Sequence, residues 1–293
     1  MKTNEKELIL NMPEDMVYEN LTLKSDFIFG KVMQNKEICL ELIRILTGNA
    51  VDENVTINNQ KPIKVTNDSK GIRYDVYVED DNTAYDAEMQ NRDSASELPK
   101  RTRFYQGMMD LNLLESGRSY KGLKNSYVIF ICTYDPFGYD LCCYRFENIA
   151  KNSDDLPLND GRIILMFNTK GKRENVSKEI KAFLDYVETK HVTNEFTKAL
   201  DNEVEKAKQN AEWRVEYMKT WTREMDLREE GREKGREEGR EEGREAAFAQ
   251  VIVKKIEKGK NLDEIAYDME MERDDIQELY YRILNETSNY KTK

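Results

Sequence analysis

The chain has 293 residues, 39% hydrophobic and 35% charged, with a net charge of −11. That length allows one large domain with an appendage, or two domains. The acidic balance provides no global basic field for nucleic acid or a membrane surface, so any DNA contact has to use a local basic patch.

The single histidine, His191, excludes multi-histidine metal sites and leaves one possible base for Ser-His-Asp chemistry. Cys39, Cys132, Cys142 and Cys143 lie in apolar runs without CxxC spacing and read as buried thiols of a reducing compartment. The opening MKTNEKELILNMPEDM is charged and broken by Pro13, which is not the pattern of a signal peptide. The longest apolar runs, such as YVIFIC, are too short to span a bilayer. The expectation is a soluble, cytoplasmic protein with no membrane partner.

In chain order, residues 26–47 carry Phe29, Val32, Met33, Leu40, Ile43 and Leu46 at helical spacing, with Gly48 and Asn49 as a stop. A strand is expected from Val55 to Val65, and a hairpin over Gly71 to Arg92. SASELPKRTRFYQGMMDLNLLES, Ser94 to Ser116, reads as a helix with Pro99 in its first turn and Ser96 as N-cap. SYVIFICTY (126–134) reads as a buried strand, Pro136 and Gly138 as a turn, DLCCYRFE and GRIILMFN as further strands, and NVSKEIKAFLDYVET (175–189) as a helix. The order gives a mixed α/β, or α+β, core over residues 1–195.

Residues 196–247 are almost all polar and contain glycine at 231, 235, 239 and 243. A period of four keeps these glycines on one slowly rotating helix face, at a cost of roughly 1 kcal/mol each against alanine. Two readings stay open: a solvated charged helix with weak pairs such as Glu237–Arg240 and Glu241–Arg244, or a close-packed helix–helix seam. The excess of glutamate argues against a nucleic-acid arm. Residues 248–293 read as a small helical module with a helix-turn-helix rhythm, Leu262, Ile265, Ala266, Ile276 and Leu279 facing inward. Its second helix opens RDDIQE, and two aspartates there oppose approach to phosphate.

The chemistry concentrates in the hairpin. A turn centred on Asp81-Asn82 pairs Val78 with Tyr85, Tyr77 with Asp86, Val76 with Ala87 and Asp75 with Glu88. Period two then puts Ile72, Tyr74, Val76, Val78, Tyr85, Ala87 and Met89 on a core face, and Arg73, Asp75, Tyr77, Asp86, Glu88 and Gln90 on the other. An ordinary half-exposed hairpin explains that pattern. Opposed carboxylates repel, however, and a hard divalent cation between Asp75 and Glu88 would turn the repulsion into a site. Asp86 reads as a surface acid near the turn.

D-x₁₂-E-x-Q on adjoining strands resembles the PD-(D/E)XK nuclease superfamily, and more narrowly the recombination-promoting nucleases, also described as PD-(D/E)XK family transposases. LTLKSDFIFGKVM, RYDVYVED, YDAEMQNR, KRTRFYQGMMDLNLLESG, SYVIFICTYDPFG and the glycine–charge repeat carry the resemblance, over about Leu21 to Arg244. It implies a restriction-endonuclease-like core with a helical C-terminal extension. It also implies Mg²⁺-dependent DNA endonuclease activity, with Mn²⁺ as a possible substitute. Asp75 and Glu88 match the metal-binding carboxylates, and Asp26 matches the acid near the first helix. Gln90 stands where the superfamily's name has lysine. It can orient a water by hydrogen bonds but supplies no charge. Lys100, Arg101, Arg103 and Tyr105 open the next helix; Arg101, Arg103 and Tyr105 are expected to position the phosphate backbone.

The alternative is a catalytically weak or inactive protein on the same fold that assembles as a homo-oligomer through its C-terminal helices. The acidic charge and missing lysine favour it; the intact Asp75–Glu88 pair favours the enzyme. Nothing in the sequence separates DNA from RNA as substrate.

Overall fold

The computed structural model describes residues 12–52, 55–63, 72–91, 95–114, 117–153, 155–174 and 176–290. The expected element ends at Val65, Gly71, Arg92, Ser94, Ser116 and Asn175 lie outside these residues. The chain divides into two compact units, Met1–Met218 and Lys219–Lys293.

The expected single helix over 26–47 is two: α1 (Asp26–Val32) and α2 (Lys36–Thr47). The break has a local cause. The Asn35 side chain accepts the backbone N–H groups of Glu37 and Ile38, so it starts a new helix instead of continuing the old one. Gly48 ends α2 in the left-handed conformation, φ +73°, as its position suggests. The apolar stripe Phe29, Val32, Met33, Leu40, Ile43 and Leu46 is buried throughout.

There follow β1 (Thr56–Ile63), β2 (Ile72–Glu79), β3 (Thr83–Gln90), α3 (Leu98–Leu113), β4 (Asn125–Cys132), β5 (Cys143–Phe146), β6 (Ile149–Ala150), β7 (Leu156–Pro157) and β8 (Arg162–Asn168). Helices α4 (Lys178–Thr189), α5 (Glu195–Gln209) and α6 (Ala211–Glu257) come next. Six strands form one sheet in the order β1-β2-β3-β4-β8-β5. Strands β3, β4 and β8 run parallel, while β1, β2 and β5 are antiparallel to their neighbours. One face packs Val76, Val78, Tyr85, Ala87, Met89, Ile129, Ile131 and Phe167 with residues of α1, α2, α4 and α5. The other face packs Tyr77, Ala84, Val128, Phe130 and Met166 with Leu98, Tyr105, Met108 and Met109 of α3. A strand covered on both faces is buried at every position, and β3 is.

Pro99 lies in the first turn of α3 as expected, but the helix begins after Glu97 and Ser96 is not its cap. Helix α5 begins in a capping box between Asn194 and Thr197. Although it falls in the stretch that reads as polar, it gives Leu200, Val204 and Ala207 to the first core. No helix among the described residues is long and apolar enough to cross a membrane.

In the second unit, α7 (Leu262–Asp268) and α8 (Arg273–Tyr290) follow the later part of α6. Ile252, Leu262, Ile265, Ala266, Ile276 and Ile283 form a small core with Leu279 packed against it, as the periodicity suggests. The glycines at 231, 235, 239 and 243 lie within α6, and a Cβ added at any of them meets open space.

Candidate active site

The β2–β3 turn is fixed by Asp80. Its carboxylate accepts the N–H groups of Asn82 (2.8 Å) and Thr83 (2.7 Å), and its own N–H donates to the Thr83 carbonyl (2.9 Å). From there the register follows the expected one: Glu79 faces Ala84, Val78 faces Tyr85, Tyr77 faces Asp86 and Val76 faces Ala87.

The ladder then stops, which corrects the expected Asp75–Glu88 pair. Each carboxylate reaches the opposite backbone instead. The Asp75 N–H donates to Glu88 Oε1 at 2.9 Å, and the Met89 N–H donates to Asp75 Oδ2 at 3.3 Å. Strand parity slips at the same point. Tyr74 leaves the face of Val76 and stacks on Tyr77, ring centroids 5.4 Å apart, in the α3-side core. Local irregularity of this kind re-aims a side chain beside a site. The sequence pattern assumes unbroken alternation, so it places Tyr74 on the wrong face.

The polar face of the hairpin is not solvated. Asp75 and Gln90 are 8% exposed, Glu88 1% and Asp86 0%. Asp86 is therefore not a surface acid. Helix α3 lies over it, and its carboxyl bears on that of Glu88, with no donor to it from any other described residue. The signal that could have placed it is the apolar stripe Leu98, Tyr105, Met108 and Met109 of α3, which needs a sheet face to cover.

Arg101 and Tyr105 sit one turn apart on the buried side of α3. The Arg101 guanidinium donates to Gln90 Oε1 (2.8 Å) and to the Tyr105 hydroxyl (2.9 Å), and lies 3.5 Å from Glu88 Oε2. It also lies over the rings of Tyr105 and Phe130. The Tyr105 hydroxyl donates to Glu88 Oε2 at 3.4 Å. Two of the three expected substrate contacts thus converge on the motif carboxylate and glutamine. Arg103 does not: it is exposed, two positions along the helix from Arg101 and so on a different side.

Burial is the largest effect on all three acids. It holds Glu88 up to about 7, against the opposing pull of the Asp75 N–H and Arg101. Burial, then the charges of Glu88 and Asp26, raise Asp75 well above the usual carboxylate range. Burial, then Glu88 and Asp75, do the same to Asp86. The site thus gathers three buried acids with the Arg101 guanidinium beside them.

This chemistry fits a hard cation. The donors are carboxylate oxygens, and their charge is opposed by burial and by one another. No group of three or more His, Cys, Asp or Glu among the described residues is arranged to hold a metal ion. Asp26 bears on Asp75 through its charge but caps the N–H of Phe27 at 2.8 Å and does not join Asp75 and Glu88 in a cage. Two carboxylates are nevertheless a sufficient protein contribution for Mg²⁺, which keeps several waters and takes substrate phosphate oxygens.

Comparison with curated proteins and with solved structures gave no match. A family model described as PD-(D/E)XK nuclease family transposase matches residues 24–246, which take in the whole sheet, α3 and the Asp75–Glu88–Gln90 motif. Nucleases of this superfamily generally use divalent metal ions. With a match over most of its length, this chain belongs to the PD-(D/E)XK nuclease family transposases.

Proposed function

We propose that the protein is a Mg²⁺-dependent DNA endonuclease whose cation is held by Asp75 and Glu88. The observation that carries this is the pair of almost fully buried carboxylates that cross-bond the two strands where the ladder ends. A hairpin needs no acids there, and burying them costs stability unless a positive charge compensates. Membership of a nuclease family makes DNA the natural substrate.

When bound, the cation supplies Lewis-acid polarisation of a phosphoryl oxygen and lowers the pKa of a coordinated water. The residues of the chain supply the rest. Gln90 orients a water through its carboxamide and adds no charge. Its Oε1 already accepts from Arg101, so the guanidinium provides, from α3, the positive charge that a lysine at position 90 would have brought. Tyr105 holds both the guanidinium and Glu88 in register. Lys100 and Arg103, on the exposed side of α3, are placed to meet the phosphate backbone.

Plasmid nicking assays test the proposal. Wild type should nick only with Mg²⁺ or Mn²⁺, and Asp75→Ala and Glu88→Ala should not nick at all. Undiminished cleavage by both variants would sink the assignment. A second reading, a nuclease scaffold that works by self-association through its C-terminal helices, is favoured by one observation: a Cβ at Gly231, Gly235, Gly239 or Gly243 of α6 meets nothing within 4 Å among the described residues. It predicts no nicking by wild type under any metal.

A further inference from the structure

The edge of the sheet farthest in strand order from the candidate site has no strand beside it among the described residues. β5 is the terminal strand, and its only strand partner among the described residues is β8. The chain then runs on into β6, which pairs with β7, and Leu158 N–H donates to the Asn148 carbonyl between them. From Cys143 to Ala150, then, every ladder partner comes from the same returning segment, and the opposite edge faces no strand among the described residues. Natural sheets protect such an edge with lysine, proline or a covering element. Here it carries exposed apolar side chains: Phe146 and Ile149 on the edge, with Leu156 on β7 beside it and Leu158 just past β7, are 41–66% exposed.

The charges on this edge are complementary to themselves. Arg145 and Glu147 flank Phe146, and in one copy their side chains pair with each other. Turn a second copy about a two-fold axis through Phe146 and antiparallel pairing sets Arg145 opposite the second copy's Glu147, and Glu147 opposite its Arg145. Phe146 then meets Phe146 of the second copy on the face where it already touches the Phe137 ring at 5.3 Å. A closed two-fold contact is the commonest oligomer geometry, and it needs just such a self-complementary patch.

We propose that residues 143–149 form a homodimer interface, in which β5 of each copy (Cys143–Phe146) pairs edge to edge with the other copy's continuation past Phe146, through Glu147, and the two sheets join. The occupant is a second copy of this chain, because the charge order matches its own reverse. The contact uses no residue of the C-terminal helices. It does not depend on nuclease activity, and it leaves the candidate site on β2 and β3 of each copy clear of the junction.

The test is sedimentation equilibrium of the full-length chain with Arg145→Glu and Glu147→Arg, alone and mixed. Each single variant sets like charges across the axis twice and should associate about tenfold or more weakly than wild type. An equimolar mixture restores both opposite-charge pairs in the mixed dimer and should recover wild-type association. The double variant R145E/E147R should recover it too. Circular dichroism checks that the folds are unchanged. A wild type that stays monomeric at 100 µM (roughly the scale at which weak contacts are seen) overturns the proposal. So do single variants that associate like wild type, or a mixture no stronger than its parts.

Discussion

At the scale of single residues, the balance lies between burial and charge. Glu88 is 1% exposed and held up to about 7, against 4.5 for an unperturbed glutamate. A raised acid keeps its proton longer in the folded state than in the unfolded one. The folded state is therefore favoured at low pH and loses that advantage as pH rises from about 4.5 through 7. The loss is on the order of 3 kcal/mol for Glu88, and the raised Asp75 and Asp86 act in the same direction. In thermal melts without metal, Tm should fall between pH 5 and pH 8, and Mg²⁺ should restore it at pH 8. Glu88→Gln should flatten the profile and melt higher than wild type at pH 8 without metal. A wild-type Tm that rises over that range would contradict the assigned burial of charge.

Much of this was legible in the sequence. Asp75, Glu88 and Gln90 stand out by type and spacing, and the turn at Asp81-Asn82 fixes the register as far as Val76–Ala87. The environment of Asp86 was not legible. Alternating polar and apolar residues look the same in a half-exposed strand and in a strand covered on both faces; only the position of α3 separates them. Nor does a sequence pattern reveal the slip at Asp75, because it depends on carboxylates replacing ladder bonds.

At the scale of elements, α3 supplies the groups that close over Glu88 and Gln90. Arg101 links Gln90, Glu88 and Tyr105. Arg101→Ala should lower cleavage about 10²–10³-fold, the range for losing one preorganised charge donor. Arg101→Lys should recover only part of it, since an ammonium lacks the planar fork. Single-turnover nicking rates check this, and an unchanged rate in Arg101→Ala would remove α3 from the chemistry. The sequence marked α3 by its basic start and Pro99. The two-helix break at Asn35 was less legible, since an asparagine within a long apolar periodicity signals a cap only when its side chain turns back on the chain. Asn35→Ala should lower stability by about 1 kcal/mol in urea unfolding, and a neutral effect would mean that the cap is idle.

At the scale of the whole molecule, most of the order of elements follows from periodicity. The parallel pairing of β3, β4 and β8 does not, since strand direction across a sheet is set by long connections. The glycines of α6 remain the least economical feature. Replacing Gly231, Gly235, Gly239 and Gly243 with alanine meets open space at each position and should raise helix stability by up to roughly 1 kcal/mol per site. If the glycine face is a seam between copies, the same replacement should weaken self-association while raising helicity. Circular dichroism and light scattering on one variant separate the two.

If Asp75 and Glu88 are buried together to hold a cation, calorimetric titration of Mg²⁺ into wild type and Asp75→Ala at pH 8, above the value of about 7 to which burial holds Glu88, shows it most directly. Binding to wild type, lost in Asp75→Ala, is the expected result, with plasmid nicking confined to the wild type. Equal binding to both proteins, or none to either, would contradict the account.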